Sequence, residues 1–69
     1  IRFALPMESF TEIIIYDAIG RFVKKLLSVK LNAGTYETDF DASNLSSGLY
    51  FYKIQAGTYS ETKKMLIIK

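Results

Sequence analysis

Carboxylates, serines and lysines are the main groups in this 69-residue chain that could move a proton or attack a substrate, because it contains no His and no Cys. Their absence removes the commonest general base, the commonest transition-metal ligand and the thiolate nucleophile. Asp39 and Asp41 stand two apart, so on a strand they would share one face. A glycosidase pair, by contrast, comes from separate elements that flank a bound sugar. Ser43, Ser46, Ser47 and Ser60 have no His to activate them, and none sits in a Gly-x-Ser-x-Gly elbow. Asp41, Ser43 and Asn44 offer oxygens to a calcium ion, but the spacing and closing Glu of a calcium loop are missing. Turn-forming bonds from those side chains to nearby backbone explain the same residues. The expectation is therefore no catalytic residue, no metal site and no cofactor.

Composition narrows the remaining classes. The chain is 49% hydrophobic with five Tyr and five Phe, enough apolar material for a core, so disorder is not expected. A chain this short buries only about 60% of the surface its unfolded form exposes, so stability is marginal and no disulfide adds to it. The net charge of +2 is carried by scattered lysines with no stripe or reading element, which argues against a nucleic-acid binder. The longest apolar run near the end, Met65 to Ile68, is far below the roughly 20 residues of a spanning helix. No stretch reads as a secretory signal peptide. The chain opens at Ile1, inside a strand-like run and without Met, which reads as a piece of a longer protein.

Residue patterning predicts six strands. Ile1–Leu5 is closed by Pro6, and Thr11–Asp17 is β-branched, with Thr11, Ile13 and Ile15 inward and Ile14 on the other face. Asp17 to Gly20 is the next turn. Arg21–Leu31 has helix-like apolar spacing, but its length and neighbours favour a strand with an irregularity that sends both Val23 and Leu26 to the core. Thr35–Asp41 alternates cleanly, with Tyr36, Thr38 and Phe40 on one side. Asp41 to Gly48 is rich in turn-forming side chains, and Leu45 is expected to drop inward as a plug. Leu49–Ala56 points Tyr50, Tyr52 and Ile54 in and Phe51 out. Gly57–Thr58 forms a hairpin into Tyr59–Lys69. The predicted fold is all-β: one small antiparallel sandwich covering residues 1–69. Tyr50, just after a turn, resembles the corner tyrosine of immunoglobulin-like sandwiches, whose hydroxyl bonds upstream backbone.

In order and spacing these residues resemble the type IX secretion C-terminal sorting domain, type A, over essentially the whole chain. The ending FDASNLSSGLYFYKIQAGTYSETKKMLIIK carries a D-x-S-x-L-x-x-G-x-Y-x-Y pattern at Asp41, Ser43, Leu45, Gly48, Tyr50 and Tyr52, then Lys63, Lys64 and Lys69. Upstream, IRFALP is similar to an early strand of the family. Ile15, Tyr16, Asp17, Gly20, Arg21, Val23 and Leu26 fit I-Y-D-x-x-G-R-x-V-x-x-L. A Pro-Asn-Pro-Phe-like stretch that usually precedes the first strand is missing here, so the resemblance implies an immunoglobulin-like sandwich short of its N-terminal strand. It further implies a non-catalytic tag that directs an upstream cargo domain through periplasm and outer membrane to the cell surface or beyond. The implied partners are a translocon and an outer-membrane sortase-like peptidase.

Outward Ile14 and Phe51, with Lys63, Lys64 and Lys69, form the candidate partner surface. Two other readings use the same strands. An open edge could pair copies into a homo-oligomer or filament. Alternatively, Phe51 or Tyr59 could stack on sugars in an accessory carbohydrate-binding domain.

Overall fold

The computed structural model describes residues 1–69 and contains six strands and no helix. They are β1 (Arg2–Leu5), β2 (Ser9–Asp17), β3 (Phe22–Leu31), β4 (Gly34–Glu37), β5 (Gly48–Ala56) and β6 (Tyr59–Ile67). Two antiparallel sheets result, a two-stranded β1–β4 and a four-stranded β3–β2–β5–β6, stacked as a small sandwich.

Period-2 side-chain alternation decides what each face of the large sheet carries. Register sets Thr11, Ile13 and Ile15 of β2 opposite Ala56, Ile54 and Tyr52 of β5, and these six point toward the small sheet. Ile13 and Ile15 are fully buried. From the other side β1 supplies Phe3 and Leu5, and Tyr36 of β4 stacks on Phe3 with ring centroids 5.6 Å apart. Thr11 is the one buried polar side chain, and its hydroxyl donates to Ser9 O at 3.2 Å, so nothing polar is stranded in the core.

β3 is a strand, and it is irregular at two places. Ile13 and Ile14 oppose Leu27 and Lys25, leaving Leu26 as an extra residue; Ile15 and Tyr16 oppose Lys24 and Phe22, leaving Val23 as another. A bulge turns its extra residue away from strict alternation, so half-buried Val23 and Leu26 reach inward although three residues separate them. Leu26 packs against the core. Phe22, the start of the helix-like spacing, instead lies 62% exposed on the outer face.

The predicted strand Thr35–Asp41 requires correction, because β4 ends at Glu37. At that end of the pairing Ile1 N donates to Thr38 O at 2.9 Å while Thr38 N–H donates to Ile1 O. The ladder register ends at Arg2 and Glu37, and alternation alone does not hold a strand. Thr38–Ser47 therefore crosses as an irregular segment, with Phe40 and Leu45 half-buried beneath it. They line a recess of about 300 Å³ with Val23.

Burial separates the two faces of the large sheet, and one pair of substitutions measures it. Ile13→Ala is expected to lower unfolding free energy by about 2–4 kcal/mol through lost apolar burial and a residual cavity. Leu66→Ala, at a side chain 66% exposed, should stay within about 0.5 kcal/mol. Urea titration of both variants checks the contrast.

Candidate functional site

One end of the large sheet gathers most of the motif residues singled out in the sequence. Asp17 at the end of β2 sits opposite Tyr50 of β5, and Gly48 opposite Ile67 of β6. The turn after β2 and the segment leading into β5 therefore lie side by side. Between them is a shallow depression of about 260 Å³, lined by Asp17, Ile19 and Arg21 from one and Ser47, Gly48 and Tyr50 from the other.

Asp17 builds the first wall. Its Oδ1 accepts backbone N–H bonds from Ile19 (3.1 Å) and Arg21 (2.9 Å), and its Oδ2 pairs with Arg21 Nε at 2.8 Å. Gly20 N–H donates to Asp17 O, and Arg21 O accepts the Asp17 N–H, so the five-residue turn closes on itself. Gly20 takes φ +87° to do this, a conformation that L side chains rarely adopt. Here the Asp-x-x-Gly-Arg spacing is turn chemistry: one carboxylate satisfies donors that would otherwise face water.

The second wall is the segment from Asp41 to Tyr50. Asp41 Oδ1 accepts the Ser43 N–H at 2.9 Å, and Leu45 N–H donates to Ala42 O. Asp41 thus makes the local turn bond weighed above against calcium ligation. Tyr50 donates its hydroxyl to Ser46 O at 2.9 Å, and Tyr36 makes the same four-residue reach to Asn32 O at 2.7 Å. Gly48 enters β5 at φ +151°, with open space where a Cβ would stand, so backbone conformation rather than crowding calls for glycine there.

Lys69 then ties the segment down. Its backbone N–H donates to Ser47 Oγ at 2.9 Å and its Nζ to Ser43 O at 2.7 Å. Nothing in the sequence signals this clamp, because its partners lie 22 and 26 residues away.

The candidate partner residues are divided by strand alternation. Ile14, Phe51 and Lys64 lie on the outer face of the large sheet, with Lys64 directly opposite Phe51. Lys63 is opposite Tyr52 on the inner face and pairs with Glu61 at 3.3 Å, while Lys69 is engaged at the loop. Tyr59 is also an inner-face residue, and its hydroxyl donates to the Glu61 carboxylate.

Chemically, the end wall is already saturated. Hydrogen bonds from backbone N–H, Arg21 first, hold the Asp17 carboxyl below its ordinary value of 3.8, and the Ser43 N–H does the same for Asp41. A carboxylate in that state is a poor proton acceptor near neutral pH. The arrangement uses both carboxylates to fix turn geometry at this end of the sheet.

In a comparison with known families, the model described as "Secretion system C-terminal sorting domain" matches residues 1–69. Comparisons with curated proteins and with solved structures return no match.

The Asp17 turn makes stability pH-dependent. Its folded pKa is depressed, so its contribution is complete above the unfolded value and is lost as pH falls through the folded one. Denaturant unfolding followed from about pH 6 down to about pH 2 should show a loss of stability that is shallower in Asp17→Asn.

Proposed function

We infer that this chain, which belongs to the secretion system C-terminal sorting domain family, acts as a folded export signal read by shape. At the family level it is a sorting signal for type IX secretion, recognised by that machinery and leading to the cell surface or extracellular space. Beyond that level, the proposal is that residues 1–69 work as one domain attached to an upstream cargo and perform no chemistry of their own. The translocon engages it folded, and a sortase-like peptidase at the outer membrane acts on the exported protein.

The observation that carries this reading is the family match over the full 69 residues. The geometry supports it. Asp17, Gly20, Asp41, Ser43, Gly48 and Tyr50 spend their polar groups and special dihedrals on building one end of the sandwich. Leu45 lines the recess beneath the second wall, and Tyr52 lies opposite Ile15 on the inner face. In this proposal those residues are retained for the shape that the receiver reads. The filament and carbohydrate readings gain nothing from the match. The β3 edge in particular gives little to a filament. β3 carries two bulges and Lys24, Lys25 and Lys30, all of which discourage strand addition.

Export of a fused reporter in a host with a type IX system tests the proposal. Deleting Tyr59–Lys69 removes the whole β6 ladder and the Lys69 clamp, and should abolish export. Gly48→Val forces a β-branched residue into positive φ at a cost of about 1–3 kcal/mol and should reduce export sharply. Normal secretion of the truncated fusion would refute the reading.

A further inference from the structure

The outer face of the four-stranded sheet is divided along the strands in a way that solubility does not require. Register lines up three rows across β3, β2, β5 and β6. Nearest the Asp17 turn the row reads Phe22, Tyr16, Phe51, Lys64. The next reads Lys25, Ile14, Lys53, Thr62, and the one after it Ser28, Glu12, Gln55, Ser60. The Asp17 end adds Leu49 opposite Leu66, which are 40% and 66% exposed. A solvated face of an antiparallel sheet is normally polar throughout. Here the Glu12 row is polar, with exposed Phe10 and Lys30 beyond it, whereas Phe22, Tyr16, Phe51, Leu49 and Leu66 gather at the Asp17 end.

Charge on the apolar half is one-sided. Lys25 is paired with Glu12 at 3.3 Å, whereas Lys53 and Lys64 take part in no ion pair. The nearest carboxylate at this end, Asp17, is consumed by its own turn and Arg21.

Resting on the function proposed above, we propose that this half-face, centred on Tyr16 and Phe51 and bordered by Lys53 and Lys64, is where the export machinery docks. The occupant is a protein surface with an apolar centre and acidic rim. Charge complementarity selects it. A second copy of this chain, placed on the patch by two-fold symmetry, would bring lysines against a surface with no free carboxylate to receive them. Tyr16 and Phe51 at the centre of the patch lie half-buried in the pleat, a setting that suits a complementary protein surface.

Reporter export again provides the assay, with two independent patch variants and one matched control. Phe22→Ser with Leu66→Ser removes exposed apolar surface, and Lys53→Gln with Lys64→Gln removes two charges. Gln55→Glu with Ser60→Glu changes net charge by the same amount as the lysine pair but in the polar row. All three should keep the β-sheet circular dichroism of the parent. Each patch variant should lower export by about tenfold or more, while the control exports like the parent. Parent-like export from both patch variants overturns this inference and leaves the sorting function standing. Failure of the parent fusion to export overturns both. A concentration-dependent dimer in sedimentation, lost in the patch variants, would assign the face to a second copy and overturn the proposal. So would binding to phosphatidylglycerol-containing vesicles that the lysine variant loses while its export persists.

Discussion

Two strands of four residues cannot shield the inner face of a sheet whose strands run to nine or ten. At about 3.3 Å per residue the small sheet spans about 13 Å and the large one about 30 Å. Much of the rest follows from that shortfall. The tightest packing lies where the sheets overlap, among Phe3, Leu5, Ile13, Ile54 and Ala56. Beyond the overlap the inner face needs another cover, and the irregular crossing from Thr38 to Ser47 supplies it by lowering Phe40 and Leu45 toward Val23. A loop has no ladder to hold it in place. That is why Tyr50, Asp41 and Lys69 all bond to this segment, and why Lys69 reaches it with both its backbone N–H and its side chain.

Seen this way, the residues that first invite a catalytic reading have a different employment. Asp17 holds a five-residue turn through two backbone donors and an ion pair, and Asp41 starts the covering loop. Both carboxyls are pushed toward the charged form by those bonds, which makes them good turn-builders and poor proton acceptors. In a chain without cysteine, and so without a disulfide to lean on, backbone bonds in the strand ladders carry the architecture: 30 of the 35 backbone–backbone bonds lie within strands. Side-chain bonds are spent at the places where ladders stop.

The outer face obeys a second logic. Pairing across four strands turns residues scattered through the chain into neighbours: Phe22, Tyr16, Phe51 and Lys64 come from four different strands and form one row. Phe22 lies six positions after Tyr16 in the sequence, and Phe51 thirty-five positions after it. No local window contains the row, although Tyr16, Phe51 and Lys64 obey their own strands' alternation and the bulges of β3 set Phe22 beside them. Lys63 and Lys64 show how finely this sorting works. Adjacent in sequence, they lie on opposite faces, one beside Glu61 and Tyr52 and the other beside Phe51.

What the sequence determined by itself was everything carried by short-range periodicity and turn stereochemistry. The inward set of Thr11, Ile13 and Ile15, the outward Phe51, the hairpin at Gly57–Thr58 and the irregularity in β3 were all legible. A strand's faces alternate every residue, and particular turns demand particular side chains. Tertiary structure alone decided where β4 stops, which apolar residue of β3 turns outward, and what Lys69 holds. Each of those depends on a partner distant in the chain: Ile1 beside Thr38, the two bulges against β2, Ser43 and Ser47 beneath Lys69. A strand ends where its neighbour ends, because backbone donors and acceptors without a partner return to water or to a turn. That neighbour is chosen by the folded chain as a whole.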